Sequence, residues 1–239
     1  MNQEQRRTHY LNALGIQVWT GRNKTTVAAE ETAATAPVLA PSRSDVALLD
    51  WTTLQKRVAT CTLCGLHSTR TQTVFGVGDN NAQWMVIGEA PGADEDRQGE
   101  PFVGRAGKLL NEMLRAVGLP REDVYIANVL KCRPPNNRDP LPAEVAQCEP
   151  YLKRQVELVQ PKIILAVGRI AAQNLLQTDI TIGKLRGQQF SYAGIPLVVT
   201  YHPAYLLRSP AEKRKAWDDL RFARDVWSRA QAENTRRGG

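Results

Sequence analysis

Residues 84–92 read WMVIGEAPG, a short apolar run that ends in a loop rich in Gly and Pro. An apolar run of this length, bounded by such turn residues, is typical of a buried strand. Apolar residues then recur at helical spacing between Leu109 and Val117, and Gly118 follows as a helix stop. Strand, loop and helix in this order are the repeating unit of an α/β fold.

The same alternation continues toward the C-terminus. Further strands are predicted at 124–130, 163–167 and 196–200, and helices at 143–159 and 211–229. Strands that alternate with helices form a mostly parallel sheet, because right-handed crossovers place the helices on its faces. We therefore predict an α/β fold of three layers, α/β/α, around a central, mostly parallel four-stranded sheet, with a disordered N-terminal extension.

Composition changes at both ends of this pattern. Residues 23–44 are dominated by Ala, Thr, Pro and Ser without an apolar period, which is typical of a flexible linker. We predict a flexible extension over 1–44, one folded domain over 45–230 and a basic flexible tail over 231–239. Within the extension, residues 6–22 carry bulky apolar side chains, so this segment either docks on another protein or packs back on its own domain.

Charge and hydropathy indicate the kind of partner and the cellular compartment of the protein. The 239 residues carry a formal net charge of +7, and the sequence pI is near 9.4, which suits a polyanionic partner such as nucleic acid. The sequence has no apolar stretch long enough to span a membrane and no apolar signal core near Met1. We expect a monomer in the cytoplasm, associated with the nucleoid and not with a membrane.

Polar residues follow three of the predicted strands. Glu89 comes directly after the first strand, Asn128 lies near the end of the second, and His202 follows the fourth. Ligands of open α/β sheets bind outside the carboxyl ends of the strands. The sequence therefore predicts that these three side chains meet in one crevice, although each alone could serve only to satisfy its local backbone.

The four cysteines form a second pattern. Cys61 and Cys64 make a C-x-x-C pair, and Cys132 and Cys148 complete the set. In a reducing compartment four cysteines indicate metal or cluster ligands rather than disulfides. Tetrahedral zinc and a [4Fe–4S] cluster both take four thiolates, and the presence of a single short-spaced pair favours the cluster only modestly.

The chain resembles the iron–sulfur, family-four uracil-DNA glycosylases from about residue 54 to residue 227. The resemblance rests on the cysteine spacing and on three segments: GEAPGADEDRQGEPFVGRAG (88–107), NVLKCRPPNNRDP (128–140) and HPAYLLR (202–208). It implies a [4Fe–4S] cluster on the four cysteines. It also implies excision of uracil from single- or double-stranded DNA by hydrolysis of the N-glycosidic bond, as the first step of base excision repair.

The resemblance also assigns roles within the predicted crevice. Phe102 would stack on the flipped uracil, although it could instead be a core residue. The Asn128 amide would pair with the uracil edge and reject cytosine, whose donor and acceptor pattern is reversed. His202 would donate a hydrogen bond to the developing uracil anion. We expect Gly88, Ala90 and Glu95 to contact the substrate as well.

The residue that handles water is left open by the sequence. The best-known uracil glycosylases have an Asp in the loop after the first strand, and Ala90 stands at that position. Glu89 is the neighbouring carboxylate, with Asp94 or Glu95 as a second possibility. Glu89 is our candidate for a direct catalytic role, and a role in fixing the loop backbone is the alternative.

DNA contacts are expected around the mouth of the crevice. Leu206, in the segment after His202, is the predicted wedge that fills the gap left by the flipped base. No lysine stands in these motifs as an amine nucleophile, so we predict a monofunctional enzyme that leaves an abasic site intact. Positive charge near the mouth is expected from six residues: Lys131, Arg133, Arg138, Lys184, Arg186 and Arg208.

The sequence leaves open which protein residues 6–22 bind and whether the domain is catalytic. Residues 6–22 weakly resemble the N-terminal peptide of the psi subunit of the bacterial polymerase clamp loader, which would imply a protein partner in replication or repair. The alternative to an enzyme is a non-catalytic, cluster-bearing protein on the same fold that binds DNA or associates with a polymerase. The presence of both Asn128 and His202 favours the enzyme.

Overall fold

The structure is a computed structural model that describes residues 43–237. The predicted docking peptide at 6–22, and the N-terminal extension as far as residue 42, lie outside the described residues. The compact unit that contains the described part spans residues 41–239. No helix within 43–237 is long and apolar enough to cross a membrane.

The centre of the fold is a twisted sheet of six strands in the order β1-β3-β2-β4-β6-β5. Neighbouring strands from β3 to β6 run parallel, and β1 and β5 pair antiparallel at the two edges. The α/β fold class is confirmed, but the predicted strand number of four is wrong because the edge strands were missed. The strands are β1 (Val77–Gly78), β2 (Trp84–Gly88), β3 (Val124–Asn128), β4 (Ile163–Val167), β5 (Gln189–Tyr192) and β6 (Ile195–Thr200).

Helices cover both faces of this sheet. They are α1 (Arg43–Val46), α2 (Trp51–Ala59), α3 (Ala93–Gln98), α4 (Arg105–Ala116), α5 (Pro142–Val159), α6 (Arg169–Leu176), α7 (Ile182–Leu185), α8 (Pro203–Arg208) and α9 (Lys213–Arg237). Short 3₁₀ turns lie at Gly65–Ser68, Arg121–Asp123, Pro135–Asn137 and Pro210–Glu212. The last helix, α9, extends to Arg237, which lies past the predicted domain end at 230.

The central strands are buried along their whole length, which is why they read as continuous apolar runs. Every residue of β2, β3 and β4 is buried. Alternate side chains of β2 enter different clusters: Met85 and Ile87 pack on one face of the sheet, and Trp84 and Val86 pack on the other. Burial of these side chains on both faces is the main stabilisation of the sheet.

The strand order places a topological switch point at β2. This strand pairs with β3 on one side and with β4 on the other, so the chain leaves the sheet in opposite directions after β2 and β4. In the register of β2 and β3, Gly88 lies opposite Asn128. The ends of the four parallel strands therefore open onto a common crevice.

Candidate functional site

A cleft with a cavity volume of about 780 Å³ lies at the carboxyl ends of the parallel strands. That volume is within the range of small-molecule sites. The segments after β2, β3, β4 and β6 all contribute to its walls. Among the predicted site residues, those that line it are Glu89, Ala90, Glu95, Phe102, Asn128 and His202.

Asn128 closes the end of β3 and is buried. Its Oδ1 atom has no hydrogen-bond partner within the described part of the chain. A buried polar atom without a partner is costly, so this oxygen is an acceptor that a ligand can satisfy. Gly88 makes the arrangement possible: a Cβ on it would overlap Asn128 Oδ1 and approach Phe102 Cζ to 2.6 Å.

His202 lies at the N-terminus of α8, directly after β6. The ring atom Nδ1 accepts a hydrogen bond from the Ala204 backbone N–H at 3.1 Å. Burial lowers the pKa of His202 to about 4, and the positive charge of Arg208 acts in the same direction, whereas Glu95 opposes both. The imidazole is therefore neutral at pH 7, and because Nδ1 is an acceptor, the ring proton is on Nε2.

Phe102 contributes an aromatic surface beside this histidine. The two rings stack, with centroids 5.6 Å apart and an interplanar angle of 29°. Phe102 is buried against the core and also lines the cleft, so its core position is confirmed and its stacking role stays a prediction. Its backbone is left-handed, with φ of 55°.

Glu89 follows β2 and is a half-buried carboxyl group in the cleft. Burial and the nearby Asp139 carboxylate together raise its pKa to about 7 against the opposing charge of Arg169. Arg169 and Asp139 are themselves paired, with Nη2 and Oδ2 2.7 Å apart. Glu89 can therefore exchange a proton near neutral pH, as catalytic acids and bases do.

The predicted substrate-contacting residue Glu95 is engaged by backbone. Its Oε1 atom accepts hydrogen bonds from the N–H groups of Val103 at 3.0 Å and Gly104 at 3.1 Å. These residues come directly after Phe102. Glu95 therefore fixes the aromatic loop while its side chain faces the cleft. Asp94, the other carboxylate considered for water, pairs with Arg97 on the exposed side of α3.

The four cysteines line one small cavity. Cys61 follows α2, Cys64 begins the turn at Gly65–Ser68, Cys132 follows β3, and Cys148 lies on α5. Within residues 43–237, no three His, Cys, Asp or Glu side chains are arranged to hold a metal ion. The donor set nonetheless suits a thiolate-bound group, since all four cysteines line the same cavity.

Two N–H groups donate hydrogen bonds to these sulfur atoms. Arg70 Nη1 donates to Cys132 Sγ at 3.0 Å, and the Lys131 backbone N–H donates to Cys148 Sγ at 3.3 Å. Hydrogen bonds and positive charge at sulfur favour its thiolate form. Burial nevertheless raises the pKa of Cys132 and Cys148, and the contacts of Arg70 and Lys131 oppose that rise.

The chain that carries this cleft and this cysteine cavity is similar to proteins of one known family. The family model of the uracil DNA glycosylase superfamily matches residues 75–221. The type-4 uracil-DNA glycosylase of Archaeoglobus fulgidus is 45% identical over 184 residues, which are 74% of this chain and 92% of that protein. The type-4 uracil-DNA glycosylase of Thermotoga maritima is 44% identical over 175 residues, or 72% of this chain and 91% of that protein.

The chain belongs to the type-4 family of the uracil DNA glycosylase superfamily. Similarity to another branch of the superfamily is lower. The type-5 uracil-DNA glycosylase of Pyrobaculum aerophilum is 33% identical over 146 residues, which are 54% of this chain and 64% of that protein. The resemblance that the sequence motifs indicated is confirmed.

Within this type-4 chain, two predicted DNA contacts need correction. Leu206 is only 1% exposed, so it cannot insert into DNA without leaving the core. The next residue, Leu207, is 37% exposed and becomes the better wedge candidate. Lys131 is 1% exposed and its Nζ donates to the Asn128 carbonyl at 2.8 Å, so it does not contact phosphate.

The other predicted basic contacts differ in their surroundings. Arg138 and Arg208 line the cleft, and Arg138 is also paired with Glu144. Arg186 is bound to the buried Asp219 and lies over the Tyr201 ring, so it braces the base of α8. Arg138 and Arg208 remain as candidates for phosphate contacts in a type-4 enzyme.

Sequence reasoning missed three polar residues of this type-4 site. Arg169 directly follows Gly168 at the end of β4, so the strand-end rule that found Glu89 could have found it. Asp139 has no sequence signal beyond its place in the loop after Cys132. Arg121 gave no signal either, because its partners are backbone carbonyls about twenty positions earlier.

Proposed function

We propose that this protein removes uracil from DNA by hydrolysing the N-glycosidic bond and leaves an intact abasic site. The observation that carries the proposal is the pair formed by Asn128 and His202. One presents a buried acceptor without a partner, and the other presents a neutral imidazole with its donor on Nε2. A uracil edge offers the complementary donor and acceptors.

Recognition begins with extrusion of the nucleotide, because the glycosidic bond of a stacked base cannot be reached. Phe102 provides the stacking surface for the flipped base. Asn128 Oδ1 accepts the uracil N3–H, and the amide nitrogen donates to a neighbouring carbonyl of the base. Cytosine has an unprotonated N3 and an exocyclic amine, so it would leave these groups mismatched.

Bond cleavage places negative charge on the uracil and positive charge on the sugar. His202 donates from Nε2 to the uracil oxygen where charge develops, and one such preorganised donor is worth about 3 kcal/mol of barrier. Because the ring is already neutral, this is a hydrogen bond from imidazole and not from imidazolium. The Ala204 N–H holds the ring in that tautomer.

Glu89 is the carboxylate that acts on water or on the sugar. Ionised, it accepts a proton from the attacking water and stabilises the cationic sugar. Among the described residues that line the cleft there is no lysine. A Schiff-base route would need such an amine, which supports the monofunctional outcome.

We propose that Cys61, Cys64, Cys132 and Cys148 hold a [4Fe–4S] cluster. The support is the convergence of four sulfurs on one cavity, the two donors directed at them and membership of the type-4 family. When bound, the cluster supplies folding energy by joining the segment around Cys61 to β3 and α5. The chemistry at the base is performed by the cleft residues.

The direct test is incubation of the purified protein with an oligonucleotide that contains one uracil, followed by alkaline cleavage. We expect strand breaks only after alkali, and none with a matched thymine oligonucleotide. Breaks without alkali would contradict the monofunctional mechanism. Binding without any excision would favour the alternative of a non-catalytic DNA-binding protein.

A further inference from the structure

The stacking residue Phe102 has an unusual backbone. Its φ of 55° lies in the left-handed region, which side chains with a Cβ rarely adopt and which must be enforced by the surroundings. Because the residue is not glycine, contacts with its surroundings must hold it in this conformation. Whatever holds this backbone also sets the position of the stacking surface.

Arg121 holds the carbonyl side of this residue. Its Nη2 donates to the Pro101 carbonyl at 2.6 Å, and its Nη1 donates to the Phe102 carbonyl at 3.5 Å. The same Nη1 donates to Asn111 Oδ1 at 3.1 Å, which anchors the guanidinium on α4. A planar guanidinium can bind two successive carbonyls at once, and a lysine cannot.

The opposite side of Phe102 is held by a negative charge. Glu95 Oε1 receives the N–H groups of Val103 and Gly104. Gly107 lets the turn fit, since a Cβ on it would overlap the Phe102 carbonyl. The loop is thus fixed by a cation on its carbonyls and an anion on its amides. Both contacts are charge-assisted hydrogen bonds, which are stronger than neutral ones.

We propose that Arg121 is a positioning residue that sets the uracil-stacking plane of Phe102, with Glu95 as its counterpart across the loop. The inference rests on the proposed uracil-excising function. Arg121 is not among the residues that line the cleft. Its effect on substrate therefore passes through the Phe102 backbone.

The test compares Arg121→Gln and Arg121→Lys with the control Arg115→Gln. Arg115 lies at the surface of α4 and pairs only with Glu112 among its described contacts. We expect Arg121→Gln to lower the affinity for uracil-containing single-stranded DNA roughly 10- to 100-fold, as misplacement of a site group does. Arg121→Lys should recover only part of this loss, and the control should match wild type.

A double-mutant cycle separates positioning from general stability. If Arg121 acts through Phe102, then Arg121→Gln added to Phe102→Ala should change uracil affinity by less than about twofold. Hydrogen exchange over residues 99–107 gives a second measurement, in which Arg121→Gln should speed the exchange of the Val103 and Gly104 amides. Unchanged exchange, or additive losses in the cycle, would overturn the proposal.

Failure of the proposed function has a different signature. A wild-type protein that binds uracil- and thymine-containing strands equally and excises neither would refute uracil excision itself. A wild type that excises uracil, combined with an Arg121→Gln variant of equal uracil affinity, would refute only the role of Arg121.

Discussion

The cleft and the cysteine cavity use buried polarity in opposite ways. In the cleft, Asn128 Oδ1 has no partner in the described chain and His202 keeps one ring nitrogen available. At the cysteines, donors from Arg70 and Lys131 are already directed at sulfur. The cleft leaves polar groups available to a ligand, and the cysteine cavity directs donors at its own sulfur atoms.

The two regions are nevertheless joined through one short segment. Asn128 ends β3, and Cys132 follows four positions later. Between them, the buried Lys131 binds the Asn128 carbonyl with its side chain, and its backbone N–H binds Cys148. Recognition of the base in the cleft and bracing at the cysteines therefore differ in chemistry but share one stretch of backbone. Substitution of a cysteine should therefore also lower uracil excision in the cleft. Substitution of a cleft residue should leave the cysteine cavity unchanged.

The largest effect is expected from loss of a cysteine. Cys132→Ser should abolish the broad absorbance at about 400 nm that is typical of iron–sulfur centres. It should lower Tm by roughly 10 °C or more, because each 1 kcal/mol shifts a chain of this size by about 2–4 °C. Uracil excision should fall with stability. The measurements are absorbance, iron content and thermal unfolding.

His67→Ala is the matched control for this experiment. His67 lines the same cavity, and its Nδ1 contacts the Cys64 carbonyl. If all four cluster ligands are cysteines, the His67→Ala variant should keep the iron–sulfur absorbance of the wild type. Bleaching of His67→Ala would contradict that ligand set, and a fully active, colourless Cys132→Ser would contradict the link between the two regions.

The next largest effect is expected from His202→Ala. Removal of a preorganised donor typically slows the chemical step by about 10²–10³-fold. Single-turnover excision should show this loss while absorbance and Tm stay near those of wild type. Affinity for DNA should change far less than the rate. An equal loss of rate and affinity would argue that His202 only binds.

Glu89 should determine the acid side of the pH profile. Burial raises its pKa from 4.5 to about 7, so the carboxylate is lost as pH falls through 7. His202 is already neutral above its pKa of about 4, so its titration does not affect the excision rate near pH 7. Wild-type excision should therefore decline below pH 7.

Glu89→Gln should remove this acid limb and lower the plateau about 10²-fold, as loss of a general base does. The profile should be measured by single-turnover excision between pH 5 and 8, with Asp139→Asn as a control that keeps the limb but moves it to lower pH. A wild-type profile that is flat through pH 7 would contradict a direct role for Glu89.

The smallest effect is expected at the exposed wedge. Leu207→Ala should slow excision from duplex DNA a few-fold, because insertion offsets the cost of unstacking, and leave single-stranded DNA unaffected. Leu206→Ala serves as the comparison. It should lower stability by about 2–5 kcal/mol, as core truncations do, without a difference between the two substrates.

The sequence predicted the parts of the fold that depend on continuous apolar runs. The four parallel strands were found because both of their faces are buried. The edge strands were missed for local reasons: β1 has only two residues, and β5 reads Gln-Phe-Ser-Tyr with alternating exposure. Such short edge strands exist because a neighbouring strand completes their hydrogen bonds.

The candidate site was predictable where strand ends carry the chemistry, as at Glu89, Asn128 and His202. The choice between Leu206 and Leu207 was not, because it depends on which face of α8 packs on α4. Arg121 was also beyond prediction, since a side chain that binds distant backbone carbonyls leaves no pattern in the sequence.

One feature of the sheet fixes the spacing between Glu89 and Asn128. The pairing of β2 and β3 continues past the strand ends, with Val129 N–H bound to the Gly88 carbonyl at 2.9 Å and Leu130 N–H bound to the Glu89 carbonyl at 3.0 Å. These bonds join the backbone that carries the carboxylate to the backbone that carries the amide. A base that enters the cleft therefore meets Glu89 and Asn128 at a set separation, so recognition of the base and placement of the attacking water depend on the same hydrogen-bonded stretch of backbone.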